Sequence, residues 1–333
     1  MAIYKRLILN LSAAMLVIIC AAPARSQDNA APDIVVTLLG TGSPIPEPGR
    51  MAPSTAKDRM NATTLVRAGT EVLLFDAGRG VVERLSQAGV EGREITGLFL
   101  THFHSDHIVG LPDLWLTSRL RLAWGRRTTP FDVYGPVGVE QLTSNLTKAY
   151  GADIAMRPDK AVDLVAHEFK PDGVVFERNG VKVTMFKVDH GEAKEAVGYR
   201  VDFKGRSVLL SGDTKYDENI IKYGKGVDLM VHEVVAVKPA LLEKVPQLKF
   251  IFEHHASPQQ CGEVFTKTKP KLAVYSHIVL IGAPSFPAPV PAPSVEELIA
   301  QTRETYQGPL VSGYDLMSFE IGDKVTVKNP PGL

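Results

Sequence analysis

Hydrophobic residues along this chain gather in short runs set off by glycine, proline and polar turns. Ile34-Val-Val-Thr-Leu-Leu39 reads as a buried strand ending in Gly40-Thr-Gly42. Thr63 to Val66 and Val72 to Phe75 read as paired strands around Arg67-Ala-Gly-Thr70, the second running into Asp76-Ala-Gly78. Val81 to Gln87 reads as a helix and Leu98-Phe-Leu100 as a short strand, with a helix expected from near Gly110. In the second half, Val181 to Val188, Ala196 to Val201, Ser207 to Leu210 and Leu229 to Val231 read as strands with helical stretches between them. Gln259 to Thr268 reads as a helix and Leu272 to Tyr275 as a core strand. Two halves, each of strands followed by helices, predict an α/β fold of two packed sheets covered by helices on both outer faces, the four layers αββα. The proline-rich stretch from Ala283 to Pro293 has core strand before it and a helix and strands after it, so it is read as a surface loop of one domain spanning residues 27–333.

The N-terminal segment departs from this pattern. Lys5 and Arg6 precede an apolar run from Leu7 to Cys20, broken by Asn10 and Ser12 and followed by Ala22-Pro23-Ala24. The run falls short of the ~20 residues that a membrane anchor needs, and the order matches an export signal over residues 1–26, cut near Ala24 or Ser26. A periplasmic or secreted protein with no stable membrane anchor follows from this reading. Charge then bears on partners: Lys and Arg together number 37, as do Asp and Glu. No overall basic field exists to draw in a polyanion, so no nucleic-acid partner is expected. Once the segment is cut, Cys261 is the remaining cysteine, which excludes an internal disulfide and a cysteine zinc cluster.

The chemistry is concentrated in Thr101-His-Phe-His-Ser-Asp-His107, where three imidazoles and a carboxylate follow a strand directly. Donors this close point to a metal centre, and all four cannot surround one ion and still leave room for water, so two zinc ions are implied. Further donors stand at later strand exits, in Asp189-His190-Gly191, Ser211-Gly-Asp-Thr214 and Ser276-His277. Each alone reads as an ordinary turn. Their recurrence at strand exits brings them to one edge of a sandwich.

These residues resemble the metallo-β-lactamase superfamily from Ile34 to Val327, with His102-x-His104-x-Asp106-His107 as the signature. The resemblance implies that His102, His104 and His190 hold one zinc, that Asp106, His107 and His277 hold a second, and that Asp213 bridges them, activating a water for attack. Leu39-Gly-Thr-Gly-Ser-Pro44, Leu74-Phe-Asp-Ala-Gly78, His232-Glu233 and His255-Ala-Ser257 resemble the ribonuclease Z and zinc-dependent arylsulfatase group. That likeness places His255 beside the scissile group, stabilising charge on a phosphoryl or sulfuryl oxygen or protonating the leaving group, with Glu233 orienting it. Asp106 joins them among the catalytic residues. The alternative for His255 is a cap on the following helix.

Ribonuclease Z carries a long basic arm for tRNA, in the bacterial form between the positions of His190 and Asp213, where this chain has room only for a strand hairpin. Leu111-Pro-Asp-Leu-Trp-Leu-Thr117 and Phe75-Asp-Ala-Gly-Arg-Gly80 are similar to the arylsulfatase branch. Trp115, Trp124, Tyr134 or Phe252 would wall an aryl pocket or else pack the core. The expected protein is an exported binuclear zinc hydrolase of a small phosphate or sulfate ester, with a small-molecule ester as its partner. Hydrolysis of a β-lactam or lactone is the alternative within the fold, and a non-catalytic metal-binding protein the alternative outside enzymes. The family often dimerises, but no single stretch marks a homodimer interface.

Overall fold

The continuous apolar runs become strands because each has two faces to bury. β1 (Ile34–Gly40), β2 (Thr63–Ala68), β3 (Glu71–Phe75), β4 (Gly97–Phe99), β5 (Phe131–Gly135) and β6 (Leu164–Glu168) lie side by side in one sheet. β7 (Gly173–Arg178), β8 (Val181–Lys187), β9 (Val197–Phe203), β10 (Arg206–Leu210), β11 (Leu229–Val237), β12 (Leu272–Ile281) and β13 (Leu310–Ser312) form the other. β14 (Ser318–Ile321) and β15 (Val325–Lys328) return to the first sheet, whose order is β15-β14-β1-β2-β3-β4-β5-β6. These positions come from a computed structural model that describes residues 31–45, 59–121, 123–157, 163–283 and 289–330. The export signal expected over residues 1–26, and the part of the proline-rich loop from 284 to 288, lie outside the described residues.

Side chains alternate along each strand, so neighbouring residues serve different layers. Val36, Leu38, Leu73, Phe75, Val208, Leu210, Leu272 and Val274 meet between the sheets. Leu39 and Leu74 turn outward beneath the helices Val81–Gln87, Leu111–Ser118 and Val139–Ala149, while Leu209, Ala273 and Tyr275 turn outward beneath Glu218–Gly224, Pro258–Thr268 and Val295–Thr302. The four-layer αββα arrangement predicted from the run pattern is therefore present. Among the described residues no helix is long and apolar enough to cross a membrane.

Two strands extend beyond their predicted ends. The runs Leu229–Val231 and Leu272–Tyr275 stop in sequence at polar residues, His232-Glu233 and Ser276-His277, yet the strands continue to Val237 and Ile281. The pairing passes from His232↔Tyr275 to Val234↔Ile278, so β12 holds one extra residue opposite Glu233. This bulge lets a parallel ladder continue while presenting His277, with φ of 43°, to one edge. Polar residues within the run marked a bulge rather than a strand end.

The sheets are clamped together at that same edge. Val197 N–H donates to Thr101 O (2.9 Å) and Ile278 N–H to Thr41 O (2.9 Å). Asp315, 0% exposed, accepts from Thr41 N (2.9 Å), Thr41 Oγ1 (2.8 Å), Met60 N (2.8 Å) and Arg84 Nε (3.1 Å). Asp315 thereby fixes the segment that carries Ser43, Pro44 and Ile45. Asp315→Ala removes the anion beside the buried Arg84 guanidinium, and the expected loss is about 3–5 kcal/mol of stability, measured by urea unfolding. A change under about 0.5 kcal/mol, as at an ordinary surface position, would show that the carboxylate does not pin this edge.

Candidate metal centre and active site

The histidine motif follows β4, with Asp106 and His107 on a one-turn helix, Ser105–Ile108, that starts ahead of the helix expected from near Gly110. His190 follows β8, Asp213 follows β10 and His277 sits in the β12 bulge. All seven predicted positions come together. His102, His104, His190 and Asp213 form one group and Asp106, His107 and His277 another, the donor atoms within each group lying within 4.8 Å of one another. Asp213 stands between them: its Oδ2 is 3.3 Å from His107 Nε2 and His277 Nε2, and 3.8 Å from His102 Nε2 and His190 Nε2.

The surrounding hydrogen bonds fix which ring nitrogens face inward. Asp76 Oδ2 accepts from His107 Nδ1 (2.7 Å) and from Thr101 Oγ1 (2.8 Å). With its proton given to Asp76, the Thr101 hydroxyl accepts from His102 Nδ1 (3.0 Å). His190 Nδ1 donates to His254 O (2.7 Å). Each of these rings is left with Nε2 directed at the cluster, the tautomer a metal ligand requires. His104 Nδ1 lies 2.9 Å from His102 Nε2 and 3.2 Å from His190 Nε2, a convergence that one imidazole proton cannot satisfy on both sides.

The electrostatics are those of a cation site. Burial pushes His102, His104 and His190 below the ordinary histidine range, keeping them neutral. Burial opposes the charge on His107 as well, but Asp213 and Asp76 outweigh it and hold this ring well above its ordinary value. Burial likewise works against the Asp213 carboxylate, and His277, His107 and His102 overcome it and hold the group well below its usual range. The carboxylates therefore call for positive charge, and a divalent ion that supplied it would displace the His107 proton. Asp213 Oδ1 and His107 Nε2 are buried without a hydrogen-bond partner. Neutral imidazoles, carboxylates and these orphaned atoms fit zinc and its divalent neighbours.

Beside the cluster, His255 Nδ1 donates to Glu233 Oε2 (3.2 Å), and Glu233 Oε1 accepts from Ala256 N (2.9 Å) and Thr214 N (3.3 Å). His255 also groups with Asp213 and His277. Burial would lower its pKa, but Glu233 and Asp213 raise it to about 9. Ser257, two residues on, provides the cap of helix Pro258–Thr268, so His255 does not serve as that cap. A cavity of about 350 Å³ opens over this face, lined by Ser43, Pro44, Ile45, Ile251 and Val279 together with His104, Asp106, Asp213, His255 and His277.

The aromatic residues named from sequence do not wall this cavity. Trp115 is in the core, Trp124 donates to Val90 O, Tyr134 stacks on Phe99, and Phe252 packs beside Val237 and Leu241. Hydrophobic packing outweighed exposure for each of them: Trp115 and Trp124 lie between the first sheet and its helices, Tyr134 packs between the sheets, and Phe252 lies in the small cluster with Val237 and Leu241. Sequence reasoning gave no role to Asp76, although it ends a strand in Asp-Ala-Gly with φ of 60°. It also missed the His254 carbonyl, which leaves no side-chain signal. Gly191, with φ of 58°, has a clear reason: a Cβ there would come 1.7 Å from the His254 ring.

Asp76→Asn keeps a residue that tolerates the left-handed backbone but removes the anion behind His107 and Thr101. Metal affinity is expected to fall about 10–100-fold, read by competition with a chromogenic chelator; unchanged affinity would show that Asp76 is not what orients the rings.

Comparisons with known proteins bear on the family and the fold. The Beta-lactamase superfamily domain matches residues 71–278. A ribonuclease Z of Mycobacterium marinum (strain ATCC BAA-535 / M) is 36% identical over 254 residues, covering 74% of this chain and 86% of the relative. Another, from Mycobacterium sp. (strain KMS), is 33% identical over 307 residues, covering 89% and 99%. Two crystal structures share the fold: a metallo-β-lactamase fold protein of Bacillus subtilis (TM-score 0.64, 16% identity, 86% of this chain and 98% of that one) and the short form of human tRNase Z (TM-score 0.61, 22% identity, 86% and 99%). The expectation of a small-molecule ester partner and no nucleic acid is overturned by the relatives named ribonuclease Z. A balanced whole-chain charge was the wrong measure, since an anionic group responds to the local charge around a site and not to the net charge of a chain.

Proposed function

This chain belongs to the β-lactamase superfamily and to its ribonuclease Z group, is a metal-dependent hydrolase of that fold, and we propose that the bond it cleaves is a phosphodiester of RNA. The observation that carries the reading is the Glu233–His255 pair set against Asp213 and His277. In this reading His102, His104 and His190 would hold one divalent ion and Asp106, His107 and His277 a second, with the Asp213 carboxylate available to both. Ions bound there supply a water activated near neutral pH and draw charge from the phosphoryl oxygens. Glu233 takes the Nδ1 proton of His255 in a hydrogen bond, leaving Nε2 toward the cavity to give its proton to the departing oxygen. Glu233, buried beside the ring, accepts its Nδ1 proton and favours the protonated form.

Between His190 and Asp213 the chain forms only the β9–β10 hairpin, with its turn at Lys204-Gly205. Recognition therefore rests on the cavity over the centre rather than on an arm built there. The test is cleavage of an RNA hairpin with a single-stranded 3′ tail by zinc-loaded protein, with metal content measured on the same sample. Cleavage supports the reading, and an intact RNA in the presence of about two metals per chain overturns it. Export by the segment before Gln27 remains a separate proposal, tested by sequencing the N-terminus of protein recovered outside the cytoplasm.

A further inference from the structure

Phe250 is 61% exposed, on the short helix Lys249–Phe252 whose next residue, Ile251, lines the cavity over the metal centre. Ile45, 69% exposed, also lines that cavity. Ile45 is exposed on the cavity lining itself, whereas Phe250 stands outside that lining, one residue from Ile251 and in ring contact with His254; apolar side chains left open beside a polar centre mark a place where a ligand supplies the missing contact. The Phe250 ring is already held on one side, its centroid 4.2 Å from that of His254, while His254 Nδ1 donates back to Phe250 O (2.6 Å). A ring fixed from behind and open in front costs little further entropy on meeting a flat partner. Exposed Lys249 precedes it and adds a positive charge where a backbone phosphate would pass.

Resting on the RNA reading above, we propose that Phe250 is the stacking platform for a nucleobase adjoining the cleaved phosphate. This residue binds substrate and takes no part in proton transfer. It holds the strand so that the scissile phosphate lies over the cavity formed by His104, His255 and His277. A purely supporting role is the rival explanation, because Phe250 covers His254, whose carbonyl accepts from His190. The two roles separate experimentally: a leucine keeps an apolar cover on His254 but has no aromatic face, whereas a tryptophan keeps both.

The experiment compares the full-length wild type with Phe250→Ala, Phe250→Leu and Phe250→Trp, all zinc-loaded and with metal content measured. The substrates are the tailed RNA hairpin and versions made abasic at either nucleotide flanking the cut. Phe250→Ala and Phe250→Leu are expected to raise KM on the intact RNA by about 5- to 100-fold, the range that follows from loss of one base stack, with kcat and metal content held. Phe250→Trp should stay near the wild type, and on one of the abasic RNAs all four proteins should share one KM. An unchanged KM in Phe250→Ala overturns the proposal, as does a penalty that persists in full on both abasic RNAs. Loss of metal from Phe250→Ala with Phe250→Leu behaving as the wild type also overturns it and assigns the ring to the support of His190. A wild type that leaves the RNA intact overturns the RNA reading first, and this inference with it.

Discussion

Asp213→Ala is expected to lose metal and hydrolytic activity together. One carboxylate oxygen lies 3.3 Å from both His107 Nε2 and His277 Nε2, and the other is buried with no hydrogen-bond partner. Without that carboxylate, the two donor groups lose the anion they share: the first is left with imidazoles alone, and the second with Asp106 as its one carboxylate. Metal content should drop well below about two ions per chain. Metal assistance is worth several kcal/mol at the transition state, so the rate should fall by roughly 10³-fold or more. Elemental analysis and RNA cleavage on the same preparation decide the matter: full stoichiometry with full activity would remove Asp213 from the centre.

His255→Ala should separate what Asp213→Ala joins. It removes the ring that Glu233 orients, while His102, His104, Asp106, His107, His190, Asp213 and His277 remain. The expected result is a fall in kcat of about 10²–10⁴-fold, the usual contribution of a positioned proton donor, with metal content unchanged. Glu233→Gln gives a milder version, since the amide still orients the ring but no longer sustains its charge. If His255→Ala kept the wild-type kcat, the leaving oxygen would be drawing its proton from elsewhere. If it lost its metal, His255 would be working as a ligand.

The histidine motif and the strand-exit donors were legible in sequence because each lay after an apolar run, where a buried strand must surface. The alternation of Leu73, Leu74 and Phe75 between layers likewise made the sandwich readable. What sequence did not reveal depends on contacts between distant segments. Asp76 gains its role only where the loops after β3 and β4 meet. The His254 carbonyl acts through its backbone, and the aromatic residues suggested as a pocket wall are taken up by hydrophobic clusters instead. The substrate was misread for a related reason: a count of charges over the whole chain says nothing about the few angstroms around a phosphate.

The pairing of β1 with β14, Ile34 opposite Ile321, together with the reach of Asp315 to Thr41, sets an order of events during synthesis. A nascent chain extended through β12 already holds His102, His104, Asp106, His107, His190, Asp213 and His277, yet β1 still lacks one neighbour and the segment leading to the Ser43–Ile45 wall still lacks the Asp315 carboxylate that binds Thr41 and Met60. Closing contacts this far apart in sequence is slow and comes late. The growing polypeptide therefore acquires its donors before it acquires the last anchor of the wall against which a substrate would rest.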